Sequence, residues 1–346
     1  MPRISAQSDD ATEIEVDLTD PDNDIDGIEF EILGDEIVQI EPALPQTLSP
    51  NMAFGVNLAE HLEQSYLTKL AADIIEKVER DVEDRQPWVD RFTSGMAMLG
   101  LIEDAIDDGP FPGSSTAILP LLSEAQVQFW SRALPELFPS EGPAKCKVLG
   151  QATADKAARS ERIKDFMNYE MTVLDRSYFA ETSRLVAAIP FQGCAFRKTY
   201  RDPILKRTLG VFVPAEDLIV PATATDLHSA PHYTHRIFRT PNELRKLQVS
   251  GVYRDVELAS PISSDDDEIR DIKAESVDVD ISSGEIEQPN YELFETYIEL
   301  DLPGYEDTYP DDPDRPSGIA LPYVVTIDKS SSTVLSIYRN WRVSDP

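Results

Sequence analysis

Residues 190–213 read PFQGCAFRKTYRDPILKRTLGVFV, and within them the chain changes its structural period. Pro190 lacks the N–H that a helix needs and its ring crowds the preceding turn, so a helix opening near Tyr178 is expected to stop ahead of it. Residues 193–201 and 207–213 then form two short runs rich in β-branched and aromatic side chains, separated by a turn at Asp202-Pro203. Two such runs around a turn predict an antiparallel hairpin. Helical periodicity dominates on the N-terminal side of this junction and strand alternation on the C-terminal side, which predicts an α+β fold.

Towards the N-terminus, residues 153–174 read as a helix carrying Ile163, Phe166, Met167 and Tyr169, preceded by a strand over 144–149. A helix is expected over 116–137 with Phe129 and Trp130, its first turn holding Pro120, where a missing N–H costs little. Ahead of it, Asp107-Asp108-Gly109-Pro110-Phe111-Pro112-Gly113-Ser114-Ser115 forces a loop. Gln86-Pro87-Trp88 opens another helix running through Phe92, Met96 and Leu99 to about residue 104, with proline in the favourable first turn. Residues 57–84 form the longest expected helix, about 40 Å at 1.5 Å per residue. Asn57 and Glu60 are placed as a capping box at its start. Its apolar residues Leu58, Leu62, Tyr66, Leu70, Ile74 and Val78 recur every four positions, so the stripe drifts around the axis. That drift suits a core helix of one chain, and equally a helix shared with an adjacent subunit.

Towards the C-terminus, residues 213–221 (VPAEDLIVP) are a turn leading into a short apolar strand, and residues 232–239 are strand-like. Thr240-Pro241-Asn242-Glu243 is a capping box with proline at the first helical position, starting a short helix that Gly251 ends. Residues 261–289 are an acidic, serine-rich linker, and strands follow over 291–302, 321–329 and 333–339. The last two fit a hairpin closed by Ser330-Ser331-Ser332.

The first fifty residues hold one base, Arg3, against fourteen acids from Asp9 to Glu41, which reads as a disordered acidic arm. The alternation in Glu29-Phe30-Glu31-Ile32-Leu33 leaves open that part of the arm docks as an added strand. Asp22-Asn23-Asp24-Ile25-Asp26-Gly27 matches the first half of a calcium loop, but Leu33 stands where the bidentate glutamate is required.

With 346 residues the chain has room for about two domains, and its formal net charge of −33 argues against a conventional DNA-binding module. Cys146 and Cys194 match neither a zinc spacing nor a disulfide framework, which suits a reducing compartment. The longest apolar runs fall well short of the roughly 20 residues of a membrane span, and the acids after Met1-Pro2-Arg3-Ile4-Ser5 exclude a signal-peptide core. Neither export nor a membrane partner is expected.

No phosphate-binding loop, nucleophile elbow or zinc-protease helix motif occurs, and the acids lie in solvated runs such as Asp265-Asp266-Asp267-Glu268. An enzyme is not expected. Three of the four histidines, His228, His232 and His235, fall within eight residues. On a regular strand His232 and His235 point to opposite faces and cannot share one ion, so structural roles are expected. Phe129, Trp130, Phe166 and Tyr169 fit helical spacing and are assigned to the core rather than to a base-stacking platform. The basic groups Arg197, Lys198 and Arg201, and Lys206 with Arg207, are read as solvated strand and turn charges. No catalytic, metal-ligating or cofactor-binding residue is therefore nominated, and no DNA-contacting residue can be picked out.

A resemblance adds to this reading. Phe111-Pro112-Gly113-Ser114-Ser115, Pro120-Leu121-Leu122, Phe129-Trp130-Ser131-Arg132-Ala133 and Leu137-Phe138-Pro139 resemble the opening of the wing region in portal (head-to-tail connector) proteins of tailed bacteriophages. Phe179-Ala180-Glu181, the stretch from Pro190 to Tyr200, and Val213-Pro214-Ala215-Glu216-Asp217-Leu218-Ile219-Val220 resemble that family's helix, glycine-bearing entry into paired strands, and Pro-acid-acid turn. His235-Arg236 followed by residues 240–244 is a third similarity; together these span residues 52–251, and residues 323–341 also look family-like.

The resemblance implies a subunit of a ring, usually a dodecamer, with wing, stem, clip and crown regions around a channel for double-stranded DNA. It further implies docking to the terminase large subunit, to capsid or scaffold, and to neck or tail adaptor proteins, within a virion assembled in the host cytoplasm. On this reading residues 1–51 are the arm, 52–240 a wing-like α+β body, and 241–346 the start of a stem- or clip-like region. The chain stops at Pro346 ahead of the family's later elements, so an N-terminal part is expected. The alternative is an acidic structural or adaptor protein of a virion without a channel role.

Overall fold

The computed structural model describes residues 30–33, 36–39, 55–99, 120–260, 269, 290–309 and 312–341. The chain divides into two units, residues 1–56 and 57–346. In the first, β1 (Phe30–Leu33) and β2 (Glu36–Gln39) pair antiparallel, with Leu33 opposite Glu36. Where the sequence reading put a disordered arm, these residues therefore form a local hairpin, and the strand-like alternation finds its partner in the next few residues. The half calcium loop at residues 22–27 lies outside the described residues.

In the second unit a five-stranded antiparallel sheet has the order β11-β10-β7-β6-β5. Its strands are β5 (Leu218–Ile219), β6 (His232–Arg239), β7 (Tyr291–Leu300), β10 (Leu321–Asp328) and β11 (Thr333–Arg339). Two short strands between β7 and β10, β8 (Thr308–Tyr309) and β9 (Asp312–Pro316), pair separately and were not anticipated. The three C-terminal strands arise where expected, and β6 joins β7 along its whole length. β6 and β7, which lie on either side of residue 240, are neighbours in this one sheet of the second unit.

Both faces of the sheet are covered. On one, Phe294 and Ile298 of β7, with Tyr323, Val325 and Ile327 of β10, meet the helix α1 (Gln64–Asp84) through Leu67, Leu70, Ala71, Ile74 and Val78. On the other, Leu293 and Leu335 pack against Leu244 of α6 (Pro241–Val249) and Tyr253. In β11, Ser336 faces Thr326 and Val334 faces Ile327, leaving Leu335 as the extra residue of a bulge. That bulge puts Val334 and Ile337 on the α1 face and Leu335 on the α6 face.

The helix expected over 57–84 begins later, at Gln64, after a separate 3₁₀ turn at Leu58–Glu60. Asn57 caps that turn, not α1, whose N-cap Glu63 makes no side-chain capping bond. The fully buried stripe of α1 follows spacings of three and four and packs on the chain's own sheet. The Thr240–Glu243 capping box of α6 forms as read from the sequence, with Pro241 at the first position.

The remaining helices are α2 (Gln86–Met98), α3 (Leu121–Leu137), α4 (Ala154–Tyr169) and α5 (Tyr178–Gln192). Val89, Phe92 and Met96 of α2 pack with Phe191 and Ile269, the latter from the segment read as a linker. Pro120 stands at the N-cap of α3, and the loop before it lies outside the described residues. No strand forms over 144–149: the Asn168 amide takes both backbone groups of Ala144, accepting its N–H at 2.8 Å and donating to its carbonyl at 3.3 Å. From Tyr169 the helix widens into a π turn, Glu170–Leu174.

Helix α5 does not stop ahead of Pro190 but passes through it to Gln192. In a last turn proline forfeits one hydrogen bond, and Gly193, at φ +76°, ends the helix by donating its N–H to Ile189 O at 2.9 Å. The hairpin follows as β3 (Phe196–Arg201) and β4 (Thr208–Val213), a two-stranded sheet of its own. Asp202 closes its turn by accepting the Ile204 N–H at 2.9 Å and the Leu205 N–H at 2.6 Å.

Candidate functional site

Two features of the second unit are candidates. The first is the surface of α3, α4 and α5. Neither α3 nor α4 buries a single side chain. In α4, Ile163, Phe166 and Met167 stand at i, i+3 and i+4, one face of the helix, and are 44%, 61% and 42% exposed. Val173 and Leu174 of the π turn, Phe179 of α5, and Leu121, Val127, Phe129 and Leu137 of α3 are exposed as well.

What holds α3 in place is a partly polar seam with α5. Trp130 Nε1–H donates to Ser183 Oγ at 3.0 Å, and Gln126 Nε2 donates to the Ala187 carbonyl at 2.8 Å. Phe138, following α3, packs edge-on against Tyr178 and Phe179 with ring centroids 6.0 and 5.0 Å away. Of the four aromatic residues assigned to the core, Trp130 alone is half-buried; Phe129, Phe166 and Tyr169 are exposed. Helical spacing places apolar side chains on one face, but among the described residues no second layer covers it.

The second candidate is an ionic cluster on the sheet face opposite α1. Tyr233 and Tyr297 are directly paired across β6 and β7 and stack at 4.6 Å. Two positions further along β6, and two back along β7, His235 pairs with Glu295 on the same face. Lys198, from β3, makes an ion pair with Glu295, whose Oε1 also accepts the Tyr297 hydroxyl at 2.8 Å. Burial by itself would raise the Glu295 carboxyl, but the Lys198 ammonium and the hydrogen bonds from Lys198 and Tyr297 hold it below its ordinary value. Desolvation, aided by Lys198, pushes the His235 imidazole down to about 4, so the ring is neutral at pH 7. Tyr297 is raised by burial and by the adjacent Glu295, which keeps its proton on the hydroxyl.

The three clustered histidines do not converge. His232 Nε2 lies 2.8 Å from Asp81 Oδ2 of α1, His235 sits on the other face beside Glu295, and His228 is in an exposed turn where its backbone N–H donates to Asp226 at 2.9 Å. Among the described residues no group of three His, Cys, Asp or Glu side chains is placed to hold a metal ion.

The basic residues read as solvated charges are largely engaged. Besides the pairing of Lys198, Arg197 donates to Thr182 and stacks over Tyr178 at 4.4 Å, and Arg207 donates to the Leu174 carbonyl. The Lys198–Glu295 pair joins residues 97 apart in sequence, so no local signal announces it. Alternation along β6 and β7 does place His235 and Tyr233 on one face and, once the two strands are known to be neighbours, Glu295 and Tyr297 on that same face.

The fold and these two features define an α+β protein built on an antiparallel sheet covered on both faces, with helices α3 and α4 that expose apolar side chains. No protein-family model matches the chain, and no curated protein matches it. No described helix is long and apolar enough to cross a membrane.

Proposed function

We propose that this chain is a subunit of a portal-type ring, a non-enzymatic conduit for double-stranded DNA at a capsid vertex of a tailed bacteriophage. One observation carries the assembly part of this reading: α3 and α4, 17 and 16 residues long, bury no side chain in the single chain while displaying Val127, Phe129, Ile163 and Phe166. Helices of this length draw most of their stability from packing an apolar face, and the face of α4 that carries Ile163, Phe166 and Met167 is left exposed, as faces that meet another protein are. A neighbouring subunit supplies that packing in a ring.

The resemblance in the order and spacing of the segments between residues 52 and 251 supplies the identity of the ring. The charge balance is compatible with it. Each phosphate neutralised by Lys or Arg adds salt-dependent grip, so a channel through which DNA must slide gains from an acidic chain with few free bases. On this proposal the partners are other copies of the chain, the terminase large subunit, capsid or scaffold, and neck or tail adaptors.

Native mass spectrometry and negative-stain imaging of the purified protein test the reading. Closed rings with a central hole are the expected result. A species that stays monomeric at about 50 μM, well above the dissociation constants typical of standard-size interfaces, overturns it.

A further inference from the structure

Helix α4 carries two kinds of side chain on one uncovered face. Ile163, Phe166 and Met167 form its apolar half, and towards the N-terminus the same face continues through Arg159 and Lys156, at helical spacing from Ile163. Both cations are exposed, and among the described residues neither makes an ion pair, whereas Lys164 on the flank pairs with Glu161. Asp155 lies beside the face in the first turn, where a carboxylate meets the positive end of the helix. The face belongs to a basic stretch of an acidic chain. Residues 144–207, which include α4, the π turn, α5 and β3, hold thirteen Lys and Arg against seven Asp and Glu. That net of +6 leaves −39 for the rest of the chain.

We propose that this face of α4 docks, head to tail, on an acidic surface of a second copy of the chain. The partner's chemistry follows from complementarity: the cations call for carboxylates, and Ile163, Phe166 and Met167 for apolar side chains beside them. A two-fold contact through α4 would set two regions of net +6 against each other, whereas a head-to-tail contact sets +6 against part of −39. The first is repelled and the second attracted. At about 0.15 M salt charges interact over about 8 Å, so the overall charge of two copies counts for less than the groups that meet in the contact. Apolar burial around Phe166 then holds what charge has oriented. This contact rests on the self-association proposed above and gives it a surface, a partner chemistry and a direction.

Sedimentation equilibrium and native mass spectrometry of the full chain provide the test, with Lys156→Glu and Arg159→Glu combined as the charge-reversed variant. Altered only at exposed positions, it should keep its unfolding midpoint and self-associate at least about tenfold more weakly, since like charges then face each other across the contact. Mixed with isotope-labelled unaltered chain it should still form heteromers, because its acidic surface remains open to the α4 face of the other copy. Arg159→Lys should associate as the unaltered chain does. Undiminished self-association of the folded variant overturns this docking and leaves the ring reading standing; if its affinity for duplex DNA falls instead, the face serves nucleic acid. A variant that neither associates nor joins unaltered copies marks a two-fold contact and overturns the docking as well. Oligomers that weaken as expected but image as open chains support the docking and overturn the ring. An unaltered chain that stays monomeric overturns both. Should the double reversal not fold, Lys156→Gln and Arg159→Gln decide in its place: about two- to fivefold weaker association is expected from each, and no change overturns the docking.

Discussion

The side chain of Asn57 pairs with the edge strand β11 as a peptide group would: its Oδ1 accepts the Ile337 N–H at 3.0 Å and its Nδ2 donates to the Leu335 carbonyl at 3.1 Å. The same Oδ1 accepts the Ala59 N–H at 3.1 Å, so one amide satisfies an edge of the sheet and the start of the 3₁₀ turn together. An open strand edge otherwise presents unpaired donors and acceptors to any passing chain.

Asn57→Ala leaves those backbone groups buried without partners. A loss of about 3 kcal/mol is expected, from two to three unsatisfied groups at roughly 1–3 kcal/mol each with partial relaxation. Urea denaturation measures it, and hydrogen exchange should show the Ile337 amide losing protection while the amides of β7 keep theirs. Asn57→Asp should not rescue stability, because a carboxylate facing the Leu335 carbonyl repels it.

His235 makes stability depend on pH in a defined window. Its imidazole titrates near 6.5 when unfolded and about 4 when folded, through burial first and Lys198 second. Between those values the unfolded chain binds a proton that the folded chain refuses. Stability is therefore full above about 6.5, falls as the pH drops towards 4, and loses on the order of 3 kcal/mol from this group. His235→Gln should flatten that part of the profile in denaturation series between pH 7 and about 4; an unchanged slope would show that the ring is not held neutral.

Phe166→Asp separates assembly from stability. The side chain is 61% exposed, so the substitution should shift the unfolding free energy by no more than about 0.5 kcal/mol. Placed in an apolar subunit contact, the same carboxylate is desolvated and unpaired, and association should fall sharply in native mass spectra. Loss of stability without loss of association would mean that α4 serves its own chain.

Affinity for free duplex DNA should be weak, with a dissociation constant above about 1 μM at about 0.15 M salt, where screening acts over about 8 Å. The net charge of −33 supplies repulsion, and Arg197, Lys198 and Arg207 are engaged with Thr182, Glu295 and the Leu174 carbonyl. Fluorescence titration with labelled duplex at several salt concentrations checks this; tight, steeply salt-dependent binding would reject a sliding conduit.

Local chemistry in the sequence determined the parts whose causes are local. The Thr240–Glu243 box starts α6, Asp202 closes the β3–β4 turn, and Asp328 Oδ2 accepts the Ser331 N–H at 2.9 Å in the turn joining β10 to β11. Strand alternation likewise separated His232 from His235, since the period of two holds wherever a strand forms. Only the tertiary structure decided what depends on partners distant in sequence. Asn57 reads as a helix cap until β11, 280 residues on, arrives to claim its amide. Phe129 and Phe166 carry the spacing of core residues yet lie exposed, because periodicity specifies which side chains share a face and says nothing of what, in this chain or another, will cover it.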